Sequence, residues 1–199
     1  MTQPAVLRFL GSGDAFGSGG RLQTCMHLSG TDGAVLIDCG ASSLIAMKRD
    51  GMDPGEVDAV LLSHLHGDHF GGVPFLILDG QFTRRAGPTA VTAFPVVRAS
   101  GAPSYALRVE YGGRTVTYSD DTEWTDSLVE AARGADLFVC EAYTFDKQVK
   151  FHLDYRTIEA QSERLGARRI ILTHMGSDML AREGEARFER AHDGLVVTL

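Results

Sequence analysis

Short apolar runs separated by glycine-rich or polar segments punctuate the chain, and most have the length of a strand. The run at 6–10 predicts a first strand. Those at 23–28 and 34–38 predict a hairpin across Ser29-Gly30-Thr31-Asp32-Gly33, and those at 106–111 and 115–119 a second hairpin across Gly112-Gly113. Further strands are expected at 59–63, 93–97, 137–140, 170–173 and 195–199, the run at 59–63 as a buried one. Helical spacing appears at 42–50, 125–133 and 154–165, and these segments stop at Gly51, Gly134 and Gly166, glycine being the residue that best accepts the left-handed turn at a helix end. Asp53-Pro54 is placed to begin a turn or short helix, and 73–78 reads as a helix beneath the loop that precedes it.

The ends of the runs are more informative than their positions. Val35-Leu36-Ile37 ends in Asp38, the 59–63 run in His64, Val116-Thr117-Tyr118-Ser119 in Asp120-Asp121-Thr122, Leu137-Phe138-Val139-Cys140 in Glu141, and Ile170-Ile171-Leu172-Thr173 in His174. Strand ends form the floor of the site in layered α/β folds, so five such endings predict convergence on one polar site. His64-Leu65-His66-Gly67-Asp68-His69 is the densest stretch. Histidines at i and i+2 past a strand can aim the same way, and Gly67 lets the backbone turn and redirect Asp68 and His69, so one loop can serve two neighbouring metals.

Bulk properties narrow the field. A chain of 199 residues supports one domain with a full core, expected to span 1–199. With 44% hydrophobic and 23% charged residues it has a globular composition, and no apolar run is long enough to cross a membrane. The N-terminus lacks a basic region followed by an apolar stretch, and a cytoplasmic protein is expected. A formal charge of -7 argues against a long nucleic-acid partner, while bound divalent metals would offset it locally and admit a small phosphate ester. Cys25, Cys39 and Cys140 show no Cys-x-x-Cys spacing and lie in apolar segments, so buried reduced thiols are expected. The glycine-rich loop 11–20 lacks the spacing of a dinucleotide or nucleotide phosphate loop and reads as backbone passing close to a site. His27, with no second ligand near it in sequence, reads as structural.

His64-x-His66-x-Asp68-His69, with an aspartate after a later strand and a histidine after a still later one, resembles the metallo-β-lactamase fold superfamily, most closely its ribonuclease Z-like phosphodiesterase branch. Leu36-Ile37-Asp38-Cys39-Gly40, Tyr118-Ser119-Asp120-Asp121-Thr122, Glu141-Ala142-Tyr143, His152 and Leu172-Thr173-His174-Met175 stand where that branch carries its motifs. The resemblance implies an α/β fold of the αββα four-layer sandwich type, somewhat shortened. It also implies that His64 and His66 hold a first metal, that Asp68, His69 and His174 hold a second, and that Asp121 rather than Asp120 bridges them. A metal pair of this kind activates a shared water. Asp68 would orient that water, His152 would protonate the leaving oxygen, and Glu141 would orient His152. Zinc is the expected metal, with manganese and iron left open.

Two departures from the family pattern bear on function. Where the branch places a third histidine for the first metal, after the strand matching Phe94-Pro95-Val96-Val97, this chain has Arg98, in Arg98-Ala99-Ser100-Gly101-Ala102-Pro103. A guanidinium cannot coordinate and repels a metal cation. The stretch from Gly87-Pro88 to Phe94 is also short, where the branch inserts a further strand and helix. The long insertion that grips transfer RNA is absent from this sequence, and no basic segment replaces it. The expected function is hydrolysis of a small phosphodiester by a metal-activated water. The alternatives are a thioester, lactone or amide hydrolase of the same fold, and a metal-binding protein whose incomplete first site leaves weak or no turnover. The expected partner is a small-molecule ester, with a homodimer left open, and the second metal site is expected to fill before the first.

Overall fold

The protein is described here by a computed structural model that covers residues 4–31, 33–80, 90–99, 101 and 103–199. The chain forms two compact units, one built from residues up to 80 together with His192–Leu199, the other from Ala90–Ala191. Among the described residues no helix is long and apolar enough to cross a membrane.

The first unit is a five-stranded sheet of β1 (Val6–Gly11), β2 (Cys25–Gly30), β3 (Gly33–Ile37), β4 (Ala59–Leu61) and β11 (Val196–Thr198), in the order β11-β1-β2-β3-β4. β1 runs antiparallel to β11 and β2, β2 antiparallel to β3, and β3 parallel to β4. Leu7 and Phe9 are buried and alternate with the half-buried Val6 and Arg8, as the two-residue repeat of a strand requires. Helix α1 (Ser43–Arg49) buries Ala46 and Met47 against Leu10, Cys25, Leu36 and Leu76. It ends at Asp50 and turns at Gly51 with φ 69°. α2 (Gly67–Phe70) and α3 (Val73–Gly80) follow the histidine loop. β4 corrects one expectation: it is an edge strand, with Ala59 exposed and Val60 and Leu61 half-buried, because among the described residues no strand pairs with its outer side. The glycine-rich loop does press closely on backbone, but on the chain's own: a Cβ on Gly11 would strike the Gln23 carbonyl.

The second unit is a six-stranded sheet of β5 (Ala90–Pro95), β6 (Tyr105–Tyr111), β7 (Arg114–Tyr118), β8 (Leu137–Glu141), β9 (Ile170–Thr173) and β10 (Glu189–Arg190), in the order β10-β9-β8-β7-β6-β5. β5, β6 and β7 are antiparallel, and β7 through β10 are parallel. β8 is buried at every position, as its unbroken apolar run and central place demand. Helix α4 (Ser127–Ala132) and helix α5 (Tyr155–Leu165) supply Leu128, Ala131, Tyr155, Ile158 and Leu165 to the core beside Phe138, Cys140 and Leu172. Asp154 caps α5 by accepting from the Thr157 N–H at 2.8 Å, and Gly166 ends it at φ 62°. α6 (Ser177–Leu180) and β10 were not foreseen, being too short to leave a periodic pattern. All three cysteines are free and buried, as expected, and burial raises each thiol pKa. The shortened stretch that begins at Gly87-Pro88 lies largely outside the described residues; from Ala90 onward β5 pairs along its whole length with β6.

Candidate metal centre

In the first unit the site grows from the end of β3. The Asp38 N–H donates to the Leu61 carbonyl at 2.8 Å, and its φ of 58° turns the carboxylate toward the segment after β4. That carboxylate accepts three hydrogen bonds: from the Ser63 N–H at 2.8 Å, from the Ser63 hydroxyl at 2.7 Å and from His69 Nδ1 at 2.7 Å. A carboxylate only accepts, so His69 carries its proton on Nδ1 and keeps the Nε2 lone pair for a metal. The Ser63 hydroxyl, having given its proton to Asp38, accepts from His64 Nδ1 at 3.2 Å, which leaves His64 Nε2 as a second available lone pair. Both histidines are buried, His66 is half-buried, and ring centroids lie 4.1 Å apart for His64 and His69 and 4.6 Å for His64 and His66. Three imidazoles so close repel one another when protonated and suit a shared cation when neutral.

The loop is held by backbone. The Cys39 N–H donates to the His69 carbonyl at 2.7 Å and the Gly72 N–H to the Cys39 carbonyl at 2.8 Å. A Cβ on Gly72 would drive into the Gly40 carbonyl, so this close approach of α3 to the strand end needs glycine. His69 Nε2 stands 3.3 Å from the Asp68 carboxylate. Two ligands of one tetrahedral zinc, each bonded at about 2.0–2.1 Å, lie roughly 3.3 Å apart.

In the second unit the ends of β7, β8 and β9, with the segment ahead of α5, bring together Asp121, Glu141, His152 and His174, one ligand atom of each lying within 4.8 Å of the others. His174, at φ 52°, places Nε2 3.3 Å from Asp121 Oδ2, the same tetrahedral edge again. Asp121 is the carboxylate beside His174. Glu141 is fully buried and accepts from the Thr122 N–H at 2.9 Å, the Leu153 N–H at 3.2 Å and His152 Nδ1. Burial, and then the charge of Asp121, push its pKa well above the carboxylate range. The Tyr143 ring stacks on His152 with centroids 4.4 Å apart.

Arg98 sits in this group. The bridge between Val97 and Glu123, together with a bond from the Val97 N–H to the Thr122 hydroxyl at 3.0 Å, fastens the segment after β5 beside Asp121. The guanidinium reaches Asp121 Oδ2 at 3.1 Å, the Phe151 carbonyl at 3.0 Å and His152 Nε2 at 2.7 Å. The Asp68–His69 pair therefore fits a metal, and the Asp121–His174 pair has the same donor types, but the Arg98 guanidinium already lies on the Asp121 oxygen, Oδ2, that faces His174 Nε2. His27 lies across the β1–β2 pairing from Arg8, as a structural residue would, and burial followed by the Arg8 charge lowers its pKa to about 4. Sequence reasoning gave no role to Ser63 or Tyr143 and did not connect Asp38 with His69. The available signal was the strand-end position of Asp38, whose partners lie far along the chain.

Comparison with known proteins adds the following. A model described as Beta-lactamase superfamily domain matches residues 76–175, and one described as Anti-Pycsar protein Apyc1 matches residues 5–98. A ribonuclease Z of Agathobacter rectalis is 22% identical over 80% of this chain and 84% of its own. An uncharacterized protein of Mycobacterium leprae is 29% identical over 71% of this chain, which spans 66% of that relative's length. Among solved structures, the metallo-β-lactamase fold protein YhfI from Bacillus subtilis superposes with a TM-score of 0.85 at 21% identity, covering 98% of this chain and 99% of that one.

Proposed function

The chain belongs to the beta-lactamase superfamily, and from that membership we propose that it is a metal-dependent hydrolase acting on a small phosphodiester. The observation that carries the reading is the repeated carboxylate–imidazole pair at 3.3 Å, Asp68 with His69 and Asp121 with His174, the first of them backed by Asp38 at the end of β3. The proposed metal ligands are His64, His66, Asp68, His69, Asp121 and His174, with zinc as the metal. When bound, it would polarise water and the ester and hold them together. The protein's own groups do the rest. Asp38 and Ser63 fix the tautomers of His69 and His64 so that lone pairs face the site. Glu141 and Tyr143 hold the His152 ring, and Asp68 is the group proposed to orient the attacking water. A cavity of about 410 Å³, lined by Trp124, Gln148, Lys150 and His152 among others, offers room for the ester's remaining groups, with an aromatic face and a cation.

Arg98 favours a second reading, a protein that binds metal but turns over weakly. Elemental analysis of purified protein, followed by a panel of chromogenic phosphodiesters and lactones with added Zn²⁺ or Mn²⁺, separates the possibilities. Metal-dependent phosphodiester hydrolysis that a chelator abolishes is expected. Lactone turnover alone would transfer the assignment to carbonyl esters, and bound metal without any turnover would support the second reading.

A further inference from the structure

We infer that Arg98 confines the site to phosphate esters or anhydrides whose leaving group departs as a weakly basic anion, an aryl oxide or a phosphate rather than an alkoxide. This deepens the hydrolase reading and rests on it. A guanidinium has only donors and keeps its protons at any accessible pH. At 2.7 Å from Arg98 Nη1, His152 Nε2 must therefore accept. With Nε2 accepting, the neutral ring carries its one proton on the other nitrogen, Nδ1, and donates it to a Glu141 oxygen. Both nitrogens of His152 are committed, and Nε2 has no proton to give.

A general acid must carry its proton on the atom that meets the leaving oxygen. To serve as one, His152 would need Arg98 to withdraw from Asp121, Phe151 and His152 together, although the Arg98 side chain is only 11% exposed and is held by all three. What the pair can offer is charge. Water oxygen bonds to phosphorus, one water proton passes to solvent, and the bond from phosphorus to the leaving oxygen breaks with its electron pair on that oxygen. The anion departs against the guanidinium, unprotonated. His152 then acts as a positioning residue for Arg98, its own ring braced by Glu141 and Tyr143.

The test uses the full-length zinc-loaded protein and a series of phosphodiesters that differ only in the basicity of one leaving group, from nitrophenyl to alkyl. Rates should fall steeply with basicity. Arg98→Ala should restore a protonatable Nε2 and improve the alkyl substrate relative to the aryl one by about 10²-fold, the scale of general acid catalysis, while Arg98→Lys should fall between. A shallow dependence in the unaltered protein, or the same dependence in Arg98→Ala, would overturn the inference. Nitrogen-15 NMR of the His152 ring in the metal-free protein reads the same claim without turnover: a proton on Nδ1 and none on Nε2 in the unaltered chain, and an Nε2 that takes up a proton on acidification in Arg98→Ala. A proton on Nε2 in the unaltered chain would refute the inference directly. Absence of turnover for every ester, with the NMR result as expected, would instead count against the hydrolase reading and leave the role of Arg98 supported.

Discussion

A carboxylate that accepts from an amide, a hydroxyl and an imidazole at once, as Asp38 does, sets both the orientation of that imidazole and the nitrogen left for a metal. Asp38→Asn keeps a side chain that tolerates φ 58° but can no longer accept with both oxygens. Metal affinity measured by chelator competition should drop about 10–100-fold while the fold persists. Asp38 was legible as a strand-end carboxylate. Its partners, 25 and 31 residues further on, were not, because a one-dimensional pattern says nothing of pairings at that range. Arg98 was readable as a residue unable to coordinate, but its seat on His152, 54 residues away, was hidden for the same reason. His27 provides a pH test. Its folded pKa of about 4 lies below the ordinary 6.5, so its contribution to stability is full above pH 6.5 and is lost as pH falls through 4, where the unfolded chain binds the proton more readily. The loss is on the order of 3 kcal/mol. Urea titrations at pH 7 and pH 4.5 should show a smaller decline for His27→Gln than for the unaltered protein.

At the scale of elements, α5 was the most legible, since an aspartate at its start and a glycine at its end mark both termini in sequence. Asp154→Ala removes the acceptor for the Thr157 N–H and hydroxyl and should cost about 1 kcal/mol. Gly166→Ala forces a side chain into φ 62° and should cost about 1–2 kcal/mol. Both should lower the urea midpoint without changing the slope. Short elements escaped notice because α2 and α6 span four residues each, barely one helical turn. β4 was misjudged for another reason. A run of apolar residues reports burial only when both faces of a strand are covered, and an edge position cannot be read from composition.

For the whole molecule, metal content and stability should move together. Elemental analysis should find about one tightly bound metal per chain, and Arg98→His, which replaces the cation with a ligand, should raise the count toward two; two metals in the unaltered chain would remove Arg98 as the cause. Free metal at about 100 times its dissociation constant adds about 2.7 kcal/mol. For a chain of this length that corresponds to a rise of roughly 5–10 °C in Tm, which a chelator should reverse. The fold class and the order of the motifs were legible because each motif is local, whereas the network that tunes them is not. Asp38, Asp120 and His174 all end strands at φ between 52° and 63°. Such a backbone sets which replacements a mutational scan will tolerate. Scored by protein abundance rather than turnover, glycine and asparagine should outrank alanine at these positions, and valine and isoleucine should be depleted most, the reverse of the preference inside the strands that lead to them.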